Sequence, residues 1–222
     1  MVSCHETTSH MARILITSGP TREYLDPVRF LTNGSSGRMG AALAADALRR
    51  GHEVIVVSGP VHVEYPEAAQ VVPIVSTHEM LTACLDAFPK CDGAIAAAAP
   101  CDFQPRHIES NKISKADSGL TLELVQTPDI IAELSKLKRS GQWTVAFALE
   151  TQNGLNRAIE KLRRKKCDLI VLNDASAIDA PKCEVRIIDN DGKAILAQGS
   201  KAVVAAALLD QIETRLMAKG HS

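Results

Sequence analysis

The chain has 222 residues and a mass of 23.8 kDa, which is one domain, or one domain with a short extension. Hydrophobic residues at 45% and charged residues at 23% exclude wholesale disorder. Lys plus Arg is 25 against 26 for Asp plus Glu, and aromatics are 3%, so neither the basic excess nor the stacking platforms of a nucleic-acid binder are present.

Residues Met1 to Met11 are polar and lack the apolar stretch of a signal peptide, so they read as a flexible extension before a single domain over 12–222. No apolar run approaches the ~18 residues that span a bilayer, so no membrane partner is expected. Arg13 to Thr17 reads as a first strand. A loop of about twenty residues follows, longer than connections usually are without a function. The spacing of Met39, Leu43, Ala47 and Leu48 predicts a helix from Arg38 to Arg50, stopped by Gly51. Glu53 to Val57 and Val71 to Val75 are strands, and Ser76-Thr77-His78-Glu79 has the form of a capping box for a helix running to about Phe88.

Gly93 to Ala99 is an apolar run of small residues, expected as a central strand buried on both faces. Thr127-Pro128-Asp129 reads as a cap, a proline at the first helical position and an early acid. Thr144 to Leu149 is a strand, Asn153 to Lys166 a helix, and Asp168 to Leu172 a strand. Glu184 to Ile188 and Lys193 to Ala197 flank Asp189-Asn190-Asp191-Gly192, a hairpin signal, and a helix runs from about Ser200 to Ala218. Repeated strand–helix–strand units imply an α/β fold: a Rossmann-like, doubly wound, mainly parallel sheet with helices on both faces. One segment breaks the order. Lys112 to Lys115 and Leu120 to Val125 bracket Asp117-Ser118-Gly119, which reads as an inserted β-hairpin, either a flap over the site or an inert edge hairpin.

In such folds ligands sit outside the carboxyl ends of the strands. The first strand leads into Ser18-Gly19-Pro20, and Asn33-Gly34-Ser35-Ser36-Gly37-Arg38-Met39-Gly40 precedes the first helix. No two of the thirteen glycines are two apart, so the G-x-G-x-x-G fingerprint is absent, as is the P-loop pattern. The Gly/Ser turn still offers free N–H groups at a helix start, where an anion can bind; the alternative is a tight turn with Ser36 as N-cap. Arg29 could clamp a phosphate or carboxylate, or simply pair with Asp26. Asp102 lies just past the central strand. Lys161 and Lys165, four apart on one helix face, could reach a triphosphate or form part of a solvated basic face. His78 and His107 have no partner at metal-ligand spacing. The six cysteines, at 4, 84, 91, 101, 167 and 183, form no Cys-x-x-Cys pair and read as reduced, buried hydrophobes of a cytoplasmic protein.

Taken together, Thr17 to Glu23, Asp26 to Asn33 and Ser35 to Gly40 resemble the phosphopantothenoylcysteine synthetase family of coenzyme A biosynthesis. Supporting matches follow in order at Ser58 to Val61, Ala98 to Phe103, Lys112-Ile113, Thr127 to Ile131, Phe147 to Thr151 and Asn173-Asp174. The resemblance implies a ligase that joins 4'-phosphopantothenate to L-cysteine through an acyl-cytidylate, with CTP as co-substrate, Mg²⁺ and no flavin, working as a homodimer without nucleic acid. It implies that Asn33 holds the acyl-nucleotide, that Arg29 supports its loop and that Lys112 neutralises phosphate from the flap. Gly19, Ser35, Ser36, Gly37, Ala96, Ala97, Ala98, Asp102, Pro128, Asp129, Ile130, Ile131, Phe147, Lys161 and Lys165 would meet the nucleotide. The metal ligands are left open.

Four departures stand out. Lys112-Ile113-Ser114-Lys115 replaces Lys-Ile-Lys-Lys, Pro100-Cys101 replaces Val-Ala, Leu149 replaces an alanine, and the family's late Ser-Asp-x-Asn segment has no clear counterpart, Cys183 to Asn190 resembling it only loosely. The flavin-dependent decarboxylase half found fused in many bacteria has no counterpart in these 222 residues, so a standalone synthetase is expected. A short-chain NAD(P)-dependent reductase is the enzyme alternative, but neither Tyr24 nor Tyr65 has the lysine four residues on that its chemistry needs. The non-enzyme alternative is a nucleotide-binding module with a degenerate site.

Overall fold

The computed structural model describes residues 11–115, 119–150, 154–174 and 183–218. The polar extension before Met11, the Asp117-Ser118 turn and Asn153 lie outside the described residues. Six strands carry the parallel part of the sheet: β1 (Arg13–Ser18), β4 (Glu53–Ser58), β5 (Gln70–Pro73), β6 (Gly93–Ala96), β9 (Trp143–Glu150) and β10 (Leu169–Asp174). With β11 (Cys183–Asp189) and β12 (Ala194–Gly199) they form one eight-stranded sheet in the order β12-β11-β10-β9-β6-β1-β4-β5. Only the β10–β11 and β11–β12 pairings are antiparallel. The α/β, doubly wound architecture expected from the sequence is therefore the one observed.

Side chains alternate between the two faces of each strand, and each face has its own helices. Ile14, Ile16, Val56, Ile95, Val145 and Val171 point to the side covered by α1 (Arg38–Arg49) and α5 (Lys201–Ile212). Leu15, Val57, Ala94, Ala146, Ala148 and Ile170 point to the side covered by α2 (Thr77–Ala87), α3 (Ile130–Lys136) and α4 (Gly154–Lys165). Continuous apolar runs such as Ile14-Leu15-Ile16 are what two-sided burial requires. No helix among the described residues is long and apolar enough to cross a membrane. The five described cysteines are buried and unpaired with one another.

Four details differ from the sequence reading. The long first loop contains a small antiparallel ribbon, β2 (Arg22–Tyr24) with β3 (Phe30–Thr32). The central strand ends at Ala96, three residues earlier than expected, and its parallel register with the first segment resumes only at the isolated bridge between Pro20 and Ala99. The cap of α3 is Asp129, whose Oδ1 accepts from Ala132 N–H, and not Thr127; Pro128 lies before the helix. The inserted hairpin pairs β7 (Phe103–Pro105) with β8 (Leu124–Gln126), so Lys112 to Lys115 is connecting chain and not a strand arm.

Gly93 begins β6 directly opposite Trp143, and a Cβ there would fall 2.1 Å from the indole ring. A methyl group can be accommodated only by moving a buried Trp out of its rotamer or by spreading two central strands. Gly93→Ala should therefore cost ~1–3 kcal/mol in urea unfolding, the usual range for overpacking. An unchanged midpoint would contradict this account of the strand pair.

Candidate active site

The sheet winds from β1 outward to β4 and β5, then returns across β1 to build β6, β9 and β10 on the other side. That reversal opens a crevice at the carboxyl ends of β1 and β6, where the connecting chains leave in opposite directions. A cleft of about 600 Å³ occupies it.

One wall is the Gly/Ser turn into α1. Gly37 is the N-cap at φ 74°, a left-handed conformation suited to glycine, and no side chain caps the helix, which contradicts the alternative of Ser36 as cap. The turn lies unusually close to β1: a Cβ on Gly40 would sit 2.1 Å from Ser18 Oγ. Ser18 Oγ donates to Gly37 O at 3.2 Å and accepts from the Tyr65 hydroxyl at 2.8 Å, which fixes the turn. The first N–H groups of α1 are thus held at the cleft without a side-chain partner, the arrangement that attracts an anion.

The opposite wall is the chain from Ala96 to Asp102. Ala98 N–H donates to Thr17 Oγ1, Ala99 N–H to Gly19 O, and Cys101 N–H to Thr21 Oγ1. Thr127 donates its hydroxyl to Cys101 O and its N–H to Asp102 O. Asn33 spans the two walls, with Nδ2 donating to Pro100 O at 2.9 Å and to Ala99 O at 3.4 Å. The Asp102 carboxylate is exposed, with no hydrogen bond or ion pair among the described residues. Burial pushes the Cys101 thiol above its usual pKa, which favours its neutral form.

The structure brings most of the expected residues together. Asn33, Ser35, Ser36, Gly37, Ala96 to Ala98, Asp102, Pro128 to Ile131, Phe147, Lys161 and Lys165 all line this cleft. Lys165 is paired with Asp129, its Nζ lying 3.1 Å from Oδ1 and 3.0 Å from Oδ2, so it bridges α4 to the start of α3. Three expected residues lie elsewhere. Gly19 turns the chain behind the wall at φ 73°, where a Cβ would meet Val61 at 2.7 Å. Lys112 lines a separate concavity of about 400 Å³ beside Leu25 and His107. Arg29 pairs with Asp26 at 3.1 Å and donates to Ile113 O at 3.0 Å, the pairing that the sequence offers beside an anion clamp. The sequence reading gave no role to Asn173, which lines the cleft at the end of β10, or to Arg38, Met39 and Lys201, which line it from α1 and α5.

Asp26 links the β2–β3 ribbon to the segment carrying Lys112. Its side chain is fully buried and accepts from Val28, Arg29 and Ile113 N–H. Burial alone would push its pKa up, but those three N–H groups and the Arg29 guanidinium outweigh it and hold the carboxyl below the usual range. A carboxyl depressed in the folded state contributes stability that is present above about pH 4 and is lost as pH falls through its folded pKa. Asp26→Asn should lower the Tm by several degrees at pH 7 and flatten the fall of Tm below about pH 4; a parallel acid limb in both proteins would contradict the assignment.

A family model described as the DNA/pantothenate metabolism flavoprotein C-terminal domain matches residues 10–216. The chain belongs to this family. It is 46% identical over 165 residues to the coenzyme A biosynthesis bifunctional protein CoaBC of Bacillus subtilis, covering 74% of this chain and 40% of that protein. The Escherichia coli K12 protein of the same name is 39% identical over 209 residues, covering 91% of this chain and 52% of its own. The chain thus spans about half the length of the curated relatives it matches. A crystal structure of the C-terminal domain of a CoaBC protein superposes with a TM-score of 0.81 at 38% identity, over 93% of this chain and 96% of that one. A Cab2 mutant in complex with phosphopantothenate-cysteine shares the fold, at a TM-score of 0.78 and 18% identity, over 95% of this chain and 89% of that one.

Proposed function

We propose that this family member joins 4'-phosphopantothenate to L-cysteine in two steps, with CTP as the activating nucleotide. The observation that carries the reading is the crevice itself: uncapped α1 N–H groups, the Asn33 amide and the open Asp102 carboxylate face one another across it. Membership of a family whose relatives are named for coenzyme A biosynthesis supports substrates of that pathway.

In the first step a carboxylate oxygen of phosphopantothenate attacks the α-phosphorus of CTP, and pyrophosphate leaves with the electron pair of the broken P–O bond. In the second the cysteine amine attacks the acyl carbon, loses a proton and expels CMP. Activation replaces an oxide leaving group with a nucleotide monophosphate, so the protein chiefly positions the partners and stabilises charge. The α1 N–H groups with Ser35 and Ser36 receive phosphate oxygens, and the backbone of Ala96 to Ala98 meets the nucleotide. Asn33, fixed by two carbonyls, presents an uncharged amide beside the acyl-nucleotide.

The described residues hold no cluster of three metal-ligating side chains. Mg²⁺, usually carried by substrate phosphates with one or two carboxylates, would be held by Asp102, whose carboxylate is open in the cleft, and would offset charge on the triphosphate. Lys112, which lines the neighbouring concavity, would supply a cation to the phosphates. The protein works in the cytoplasm, where its thiols stay reduced.

A homodimer completes the reading. Val28, in the turn between β2 and β3, is 58% exposed, Phe103 of β7 is 48% exposed, and Ile108 and Leu120, on the chain between β7 and β8, are 67% and 59% exposed. Apolar side chains gathered on projecting ribbons suit burial against a second copy. Sedimentation at micromolar concentration should give a dimer; a fully active monomer would refute the assembly.

The test of the reaction is pyrophosphate release that requires both phosphopantothenate and a triphosphate, followed by CMP release on adding cysteine. No release with any triphosphate would sink the reading. Lys112→Gln should suppress formation of the acyl-nucleotide by ~10²-fold or more, as expected when one electrostatic donor is removed. Abundant intermediate in a quench-flow experiment would remove Lys112 from the activation step.

A further inference from the structure

The connection from β4 to β5 passes over the start of α1. Val61, Val63 and Tyr65 are half-buried while His62 and Glu64 are exposed, the alternation of an extended strap with one face turned inward. It lies tight on the Gly/Ser turn: a Cβ on Gly37 would fall 3.0 Å from both Val61 and Val63. At the end of the strap the Tyr65 hydroxyl sits between two serines that close neighbouring strands, 2.8 Å from Ser18 Oγ of β1 and 2.8 Å from Ser58 Oγ of β4. Each hydroxyl has one proton, and Gly37 O can only accept. Ser18 therefore donates to Gly37 O at 3.2 Å, and Tyr65 donates to Ser18. Ser58 completes the chain by donating to Tyr65, with Gly59 O at 2.9 Å as its other acceptor. That order alone gives every contact from Ser58 to Gly37 a proton.

We infer that Tyr65 is a positioning residue for the triphosphate, acting through Ser18 on the peptide that joins Gly37 to Arg38. The inference rests on the reading above, which puts phosphates at the start of α1. Gly37 O is the carbonyl of the N-cap residue, and it accepts from Ala41 N–H at 3.0 Å as well as from Ser18. In a trans peptide the N–H points opposite to the C=O. Holding Gly37 O toward β1 and the helix body therefore turns Arg38 N–H outward, to the cleft that Arg38 lines. Gly37 offers no resistance of its own to rotation, because glycine takes either sign of φ. A rotated peptide would present a carbonyl oxygen to the phosphates in place of a donor and repel them. The hydroxyl chain opposes that rotation. Tyr65 does not itself line the cleft, so its effect on a ligand passes through Ser18 and Gly37.

The experiment is calorimetric titration of the full chain with Mg-CTP and with inorganic tripolyphosphate, beside the pyrophosphate assay, for the wild type, Tyr65→Phe, Ser18→Ala and the double variant. Tyr65→Phe keeps the ring and its packing and deletes one hydroxyl. It should weaken tripolyphosphate and CTP by the same factor, about fivefold, the worth of one hydrogen bond. In the assay that loss should fall on the KM for CTP more than on kcat, because the phosphates are held before and during the reaction alike. The KM for cysteine should not move. Ser18→Ala should weaken both ligands at least as much, and the double variant no more than Ser18→Ala alone, since one chain is broken only once. A purely structural Tyr65 would lower the Tm of Tyr65→Phe and leave both affinities unchanged at room temperature. That result, losses that add in the double variant, or a wild type that binds no tripolyphosphate would overturn the inference. Tripolyphosphate losses as expected, with no pyrophosphate released by the wild type, would sink the ligase reading and leave the positioning role standing. Pyrophosphate release by the wild type with unchanged affinities in Tyr65→Phe would do the reverse.

Discussion

The reversal of winding between β1 and β6 is the constraint on which the site depends. Two adjacent parallel strands send their chains to opposite faces, so neither connection covers the gap between their carboxyl ends. Into that gap project the start of α1 and the Ala96 to Asp102 chain. The close approach of α1 to β1 is possible because Gly40 has no Cβ to collide with Ser18. Without that approach the α1 N–H groups would stand away from the crevice.

A second, smaller network sets the angle of the walls. Glu23 is buried in β2 and accepts from Thr77 N–H at 2.8 Å and from the Thr77 hydroxyl at 2.7 Å, satisfying an orphan donor at the start of α2. Thr21 lies 2.9 Å from the Thr77 hydroxyl and receives Cys101 N–H. The ribbon base, the α2 start and the far wall of the cleft are therefore locked together by residues distant in sequence. Asp26 performs the corresponding task for the ribbon tip and the Ile113 segment. In the proposed reaction, rigid walls of this kind supply positioning, which is most of what acyl activation asks of the protein.

The order of strands and helices was legible because two-sided burial and helical spacing leave strong periodic signals, as in Ile14 to Ile16 and in α1. The β2–β3 ribbon was not, since three-residue strands with a buried Glu23 carry no periodicity and exist through contacts with Thr77. The arms of the hairpin after the central strand are hidden for a similar reason: alternation in Leu120 to Val125 overlaps β8 only at Leu124 and Val125, and its partner, Phe103–Pro105, contains a proline and has no such signal. Most cleft residues were legible from the family's motifs. The separation of Lys112 from the cleft and the pairing of Lys165 with Asp129 were not, because each depends on where two remote segments meet.

The central claim is that a nucleotide lies across the β1–β6 reversal, with its phosphates on the start of α1. A crystal structure of the chain grown with CTP and Mg²⁺ tests it most directly. The account predicts triphosphate density against the N–H groups that follow Gly37, with the metal beside Asp102 and the nucleoside running from Ala96–Ala98 toward β10. Triphosphate density in the concavity beside Lys112, with the crevice at the ends of β1 and β6 left to solvent, would contradict it.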